Sequence, residues 1–468
     1  MTIDAHTGVP AGSSALEAET QRVGHSIAGA LPPAARHPIQ ALDGKAMQLA
    51  SADQELKAAL FRFVDVVPAC RSMDDLARHL TGFLHEVKHP PAPLSVAMRM
   101  ADSRAGRAAL GAAAAAGVRH MAHRFIVGED PRAALPVLRD AWKRGVAPSV
   151  DLLGEATVTP READDYASRC AEALTTLTAA TAQWPTRPRL EGDSHGVIPR
   201  ANLSVKISAL TPLLRPHAPE RGQADAAERL RPLLRQAREA GAHLHIDSES
   251  LDTRDAVLDL ALRLLAEPEF AAGPSAGIVL QAYLRDSPQM LHRVLNWARD
   301  AGKSRAQPLT VRLVKGAYWD HEMVQARQHG WEVPVFDAKA DCDANFEDLT
   351  RRLIDANGLV RVAVASHNLR SLAHAVAYNR LRGGTDADLE LQVLKGLGDG
   401  LAEALAGCEL RVRAYCPVGD LVAGMAYLVR RLLENTANDS FLHDQAAGVP
   451  LDDLLSAPTP SHVLAGRP

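Results

Sequence analysis

Hydrophobic and polar positions change rhythm near residue 118. Downstream of it, short runs of alternating apolar and polar residues are separated by stretches with helical spacing. The period-two runs predict strands at 120–127, 148–155, 202–209, 242–248, 276–283, 309–316, 361–367 and 410–416. Eight strand-plus-helix units favour a (β/α)8 barrel of the TIM type within an α/β class. A doubly wound sheet shows the same alternation, and the number of units decides for the barrel. Within the runs, Asn202, Ser204, Lys206 and Ser208 alternate with Leu203, Val205 and Ile207. Likewise His243, His245 and Asp247 alternate with Leu244 and Ile246, and Arg411, Arg413 and Tyr415 with Val412 and Ala414. Gln281 and Tyr283 stand opposite Leu280 and Ala282, and Arg312 opposite Leu313. Helices around a barrel require an apolar outer face, so the polar set points inward. A barrel interior is normally packed with branched apolar side chains. One lined by Lys, Asp, Gln, Arg and Tyr is a candidate ligand cavity. The polar residues nearest its C-terminal mouth are Glu155, Lys206, Asp247, Gln281, Arg312, His367 and Tyr415.

Upstream, the pattern is helical from about Ala15 to Val87, with a capping signal at Ser72-Met73-Asp74-Asp75. A Pro-rich linker at 88–93 leads into an Ala-rich helical stretch. The expected organisation is a polar, disordered tail at 1–14, a helical arm region at 15–117, the barrel at 118–445 and a C-terminal tail at 446–468. Two longer connections, 185–200 and 382–400, interrupt the barrel rhythm.

A late stretch, 427–435, follows a start signal at Gly419-Asp420. Leu421, Met425, Leu428 and Leu432 recur on one helical face. Tyr427, Arg430, Arg431 and Glu434 share another stripe. Two adjacent guanidinium groups suit a carboxylate ligand. By itself the stripe reads first as a solvated face carrying an Arg430–Glu434 pair.

The chain has 468 residues, 47% of them hydrophobic, and a net charge of -4. This is ample for a large core and gives no general attraction to nucleic acid. No secretory signal is visible, and the longest small-apolar run, 108–117, is too short to span a bilayer. The five cysteines are scattered without a CxxC pair and read as reduced thiols in a cytoplasmic protein.

The most distinctive string runs from Val311 through Asp320. An Arg on a strand followed by Lys315-Gly316-Ala317 brings cations and bare backbone N–H groups to the mouth, where they could hold an electron-rich ring and phosphates. A strand-ending turn and a packed Tyr318-Trp319 loop would explain the same residues. The His243-x-His245 pair invites a metal reading, against which core histidines satisfied by polar neighbours weigh more heavily. The glycines at 396–400 read as a turn, and Cys416 as packing.

Taken in order, these strings resemble the flavin-dependent proline dehydrogenases, and within them the proline dehydrogenase module of the bifunctional proline utilization A enzymes. The resemblance runs over about 60–441. Its carriers are Leu60 to Pro68, Asp151-Leu152-Leu153-Gly154-Glu155-Ala156, Ser204 to Leu210, Ile246-Asp247, Leu280 to Tyr283, Val311 to Asp320, Ser366-His367-Asn368, Tyr415 to Gly419 and Tyr427 to Asn435.

The resemblance implies a distorted (β/α)8 barrel with its last helix over the mouth, where FAD binds. It implies Arg312 beside flavin N5. Gln281, Val314, Lys315, Gly316, Ala317, Tyr318, Trp319, Lys339, His367, Asn368 and Glu434 are implied at the cofactor. Arg430, Arg431 and Lys206 would hold the proline carboxylate. Tyr427, Leu313 and Tyr318 would wall the ring, Asp247 and Tyr415 would support the site, and Glu155 would enter a closing ion pair with an Arg. A bulky residue at Tyr415 implies L-proline over its hydroxylated analogue. The reaction implied is oxidation of L-proline to 1-pyrroline-5-carboxylate, with electrons passed to ubiquinone or menaquinone and peripheral contact with the inner membrane. Asp337 and Ser250 depart from the family's pattern. The aldehyde dehydrogenase half of the bifunctional enzymes is not in this sequence, which reads either as a stand-alone enzyme or as a cut piece; no DNA-binding segment is evident. Two other readings stand beside this one. A metal-dependent barrel hydrolase would use His243, His245, Asp247 and His367, and a non-enzymatic scaffold would keep only the barrel.

Overall fold

Alternating runs leave one apolar face per strand, and eight such strands can bury all their apolar faces by closing into a ring under a jacket of helices. The computed structural model describes residues 13–33, 53–154, 156–420, 424, 444–445 and 448–461. Its parallel strands are β1 (Val146–Leu152), β2 (Asn202–Val205), β3 (His243–Ile246), β4 (Ser275–Gln281), β5 (Leu309–Val314), β6 (Val360–Ala365), β7 (Leu389–Leu394) and β8 (Arg411–Val418). Each pairs with its neighbours in sequence, and β8 closes on β1 with Val146 opposite Val412 and Leu152 opposite Val418. The β1–β2 seam is narrower, joined through Val150 with Leu203 and Asp151 with Ser204. The fold is the expected TIM-like barrel, and closure removes the exposed edges an open sheet would present.

Strand alternation sorts the side chains as the pleat requires. Leu203, Val205, Leu244, Ile246, Leu280, Val311, Val362, Leu391 and Val412 pack outward against the helices. Ser149, Ser204, His245, Arg312, Glu390, Gln392 and Arg413 are buried inside the ring. Gly277 is needed next to this interior, because a Cβ there would lie 2.2 Å from His245 Nδ1.

Several sequence expectations fail. Residues 120–127 do not form a strand: a single helix, Arg104–Phe125, starts at the cap Ser103 and takes in 120–125. Its Ala-rich body has high helix propensity, which carries the helix past the expected arm–barrel boundary at 117/118. The eighth strand is instead β7, inside what reads as the connection 382–400. Leu, Glu and Gln are helix formers with weak strand preference, so Leu389-Glu390-Leu391-Gln392 is a poor strand signal despite its clean alternation. Nor is 446–468 simply a tail. A turn at Leu451–Leu454 leads to Leu455, which is fully buried. Leu455 O accepts from Gln21 and from Arg370.

The helical layers upstream pack in two places. Helix Ser14–Gly29 lies on helix Leu369–Leu381, where Arg370 bonds both Glu17 and the buried Glu347. Helix Met73–Leu84 begins as its capping signal predicts, with Ser72 Oγ accepting from Asp75 N at 3.1 Å. Leu80, Phe63, Phe125, Ile126 and Leu153 form a second core, which ties these helices to the end of β1. Among the described residues, no helix is long and apolar enough to cross a membrane.

The connection 185–200 folds into a small hairpin, Gly192–Asp193 with Gly196–Val197, beneath the N-terminal end of the ring. Its Asp193 carboxylate is 0% exposed and accepts from Arg361 at 2.9 and 3.1 Å and from Arg411 at 3.1 Å. Asp193→Ala leaves two buried guanidinium groups without their counter-charge. It is expected to cost about 3–5 kcal/mol, the usual penalty for halving a buried ion pair. Chemical denaturation checks it, and a loss below about 1 kcal/mol would remove the hairpin from the barrel's floor.

Candidate active site

At the C-terminal end of the ring, four charged side chains and one phenol converge. Lys206 leaves the end of β2 and ion-pairs with Asp151 of β1; its Nζ is also 3.9 Å from Asp247 Oδ2. Asp247, one step past β3, accepts from Arg312 Nη1 at 2.9 Å and from Tyr415 Oη at 2.7 Å. The Arg312 guanidinium lies 5.2 Å from the Tyr415 ring centroid and donates through Nε to Gln392 Oε1 at 2.7 Å. Each residue is the polar member of its strand's alternation, so the pleat alone aims all of them inward.

Burial and pairing set the charges. Burial opposes the charge on Lys206, but Asp151 and then Asp247 outweigh it, and the ammonium titrates above its ordinary value. Burial raises the Asp247 carboxyl despite Arg312 and Lys206. The Tyr415 phenol is pushed well up by burial and by Asp151 and Asp247, so it remains a donor. Glu249, accepting from Ser208 Oγ, is also raised by burial.

The next strand ends form a cradle. Ala282 N donates to Val314 O and Tyr283 N to Lys315 O, continuing the β4–β5 ladder past the ring. Gly316 follows with φ 133°, and a Cβ there would lie 2.3 Å from the Tyr283 ring, so both conformation and space demand glycine. Gln281 Oε1 and Tyr283 Oη are buried without a hydrogen-bond partner among the described residues. Lys315 and Lys339 both pair with Asp343. Ala317 is exposed and Tyr318 half-buried; Trp319 donates to Phe336 O at 2.8 Å. Asp337, a departure from the family pattern, pairs with Arg285 at 2.6 Å. An unpaired amide oxygen, an unpaired phenol, a Cβ-free turn and two lysines fit a planar, anionic cofactor with polar ring edges.

His367 and Asn368 each commit one side-chain atom to local structure. His367 Nε2 accepts from Leu394 N at 2.9 Å, and the Asn368 side chain caps its helix by accepting from Ser371 N at 3.1 Å. Leu313 is a correction. It alternates with Arg312, is 0% exposed and packs outward against the helices, so it cannot wall a ligand. The apolar residue with inward parity is Leu394, in register with Tyr415 at the mouth. Sequence reading missed Leu394 and Gln392 together with their strand. It also missed Asp151 and Glu249, although Asp151 lies two residues from Ser149 on one strand face. Glu155, Tyr427, Arg430, Arg431 and Glu434 lie outside the described residues.

Comparison with known proteins matches this architecture. The family model for proline dehydrogenase covers residues 134–444, and that for the proline utilization A N-terminal domain covers 17–125. The chain belongs to the proline dehydrogenase family. Among relatives, the bifunctional protein PutA of Salmonella typhimurium is 32% identical over 381 residues, 79% of this chain and 27% of that protein. Proline dehydrogenase of Deinococcus radiodurans is 27% identical over 324 residues, 69% of this chain and 89% of that protein. PutA from Bdellovibrio bacteriovorus, inactivated by N-propargylglycine, superposes with a TM-score of 0.85 at 35% identity, covering 96% of this chain and 44% of that one. The chain thus spans about a quarter of the bifunctional relatives it matches first, and most of the Deinococcus dehydrogenase.

For a member of this family, the metal reading of the histidines loses its ligand atoms. His243 Nδ1 bonds Ser275 Oγ at 2.8 Å, His243 Nε2 bonds His245 Nδ1 at 3.2 Å, and His245 Nε2 bonds Ile278 O at 3.1 Å. All four ring nitrogens are committed to neighbours. Among the described residues, the one metal-competent cluster is Cys70, Asp75 and His79, in the N-terminal helical layer. Cys416 is buried, and its thiol is pushed up to about 12 by burial, which leaves it a poor nucleophile.

Burial, with Arg413 adding repulsion, lowers His243 to about 3. A base depressed in the folded state contributes stability above its unfolded value near 6.5. That stability is lost as pH falls toward 3. At pH 5, His243 alone is expected to cost about 2 kcal/mol relative to pH 8. His243→Asn should therefore flatten the decline of Tm between pH 7 and 5. A decline as steep as the parent's would contradict the buried neutral assignment.

Proposed function

We propose that this chain is a flavin-dependent proline dehydrogenase that oxidises L-proline to 1-pyrroline-5-carboxylate. The observation that carries the reading is the buried Lys206–Asp151–Asp247–Arg312–Tyr415 array at the barrel mouth, beside the cradle of Gln281, Tyr283 and Gly316. FAD, when bound, supplies the hydride acceptor. Arg312, Gln281, Val314 and Gly316 would hold the flavin ring. Lys315, Lys339, Ala317, Tyr318 and Trp319, with His367, Asn368 and Glu434, would hold the rest of the cofactor.

The chain's own residues then bind, orient and tune. Lys206 carries three donors, and Asp151 takes one, so the ammonium can also grip a substrate carboxylate. Arg430 and Arg431 would complete that clamp, with Tyr427, Tyr318 and Leu394 as the apolar wall and Glu155 in the closing ion pair. Hydride leaves only from a neutral amine, and the cations gathered here favour deprotonation of an ammonium beside them. Asp247 holds Arg312 and Tyr415 in fixed relation, so the face presented to the flavin is organised before substrate arrives.

Electrons would pass to a quinone, ubiquinone or menaquinone, at the inner membrane, which a cytoplasmic protein reaches by peripheral contact. The product would pass to an aldehyde dehydrogenase, as a fused half or a separate partner. No nucleic acid is part of this reading.

The test is an anaerobic absorption spectrum with and without L-proline. A flavin band that bleaches on adding L-proline supports the proposal; a colourless protein that retains zinc would overturn it in favour of the hydrolase. A flavin band that L-proline leaves unchanged would favour the scaffold. Lys206→Met removes one charge-assisted hydrogen bond of about 1.5–3 kcal/mol. It should keep the flavin band while KM for L-proline rises about 10- to 100-fold. An unchanged KM would remove Lys206 from the clamp.

A further inference from the structure

We propose that Gln392 and Glu390 form a relay that fixes the guanidinium plane of Arg312 from below, making both of them positioning residues for the flavin site. The inference rests on the flavin reading and adds to it two residues of β7.

Arg312 has two close anchors. Nη1 reaches Asp247 Oδ1 at 2.9 Å and Nε reaches Gln392 Oε1 at 2.7 Å. The remaining contacts are longer: Nη2 is 3.3 Å from Ser149 Oγ, and Ser204 Oγ is 3.5 Å away. Asp247 is shared with Tyr415, so a guanidinium held there alone could pivot. Gln392 supplies the second point that defines the plane.

A glutamine amide can present either its oxygen or its nitrogen, and here the choice is forced. Gln392 Nε2 donates to Glu390 Oε1 at 2.6 Å, and a carboxylate accepts only. The amide oxygen must therefore face Arg312. Glu390 in turn is gripped by Arg413 through Nε at 2.9 Å and Nη2 at 3.0 Å, while Arg413 Nη1 donates to Pro148 O at 2.8 Å. Burial opposes the Glu390 charge, but Arg413 and Arg411 hold the carboxyl down at about 2, so it stays an acceptor at every working pH. All members of this chain are nine-tenths or more buried. The relay thus runs from Arg413 at β8 through two residues of one strand face to the mouth. It also places one fixed negative charge a single amide away from Arg312.

The experiment uses the full chain loaded with FAD. The parent is first checked for flavin and for bleaching by L-proline; a parent without flavin overturns the function reading and this inference with it. In Gln392→Leu, flavin content should stay within about twofold of the parent. Its kcat should fall about tenfold, the cost of a slightly misplaced group, with KM for L-proline changed less than about twofold. The flavin midpoint potential should move from the parent's value. Gln392→Glu sets two carboxylates against each other and should lose kcat in the same way. The exchanged pair Glu390→Gln with Gln392→Glu restores an acceptor to Arg312 and an amide donor between the two side chains, and should bring kcat back to within about threefold of the parent. If Gln392→Leu does not fold, Glu390→Gln alone gives the same readout, since it frees the amide of Gln392 to flip. A bleaching parent whose Gln392→Leu or Glu390→Gln variant keeps kcat and potential overturns the relay alone, as does an exchanged pair no better than Gln392→Glu.

Discussion

The structure depends on compensating charge inside a closed barrel. Arg312 and Lys206 sit where branched apolar side chains normally pack, and each is tolerable only because a carboxylate meets it at once. The same rule reaches the floor, where Arg361 and Arg411 converge on Asp193 and Arg413 clasps Glu390. Each such pair ties the strand that contributes a charge to the element that contributes its partner. The polar interior is as specific as an apolar jigsaw, and it costs more to disturb.

This arrangement separates the two ends of the ring. At the floor, the hairpin of 185–200 seals charge away from water, and nothing there needs to move. At the mouth, pairing among the described residues is incomplete: Gln281 Oε1 and Tyr283 Oη lack partners there, and Lys206 has donors beyond the one Asp151 takes. Unsatisfied buried groups are costly, and two of them lie beside Gly316, where a ligand could satisfy them. The helical layers upstream add a second core against the end of β1, so the mouth is braced from outside by residues far away in sequence.

Much of this was legible in the chain. The period-two alternation of 202–209, 242–248, 309–316 and 410–416 dictates which residues face inward, and it puts Lys206, Asp247, Arg312 and Tyr415 on one surface. Leu313 was misassigned although the same alternation sends it outward. The strand at 389–394 stayed hidden because Leu, Glu and Gln have only weak strand preference, and Gln392, Glu390 and Leu394 were lost with it.

By itself, then, the sequence determined the barrel, the polar interior and the main charged residues, because side-chain period is a local property that each strand carries alone. Only the tertiary structure decided the partners: that Asp151 meets Lys206, that Gln392 meets Arg312, and that a connecting loop supplies Asp193 to the floor. Those contacts join residues tens to hundreds of positions apart, and they are fixed by ring closure and strand register, which no local pattern encodes.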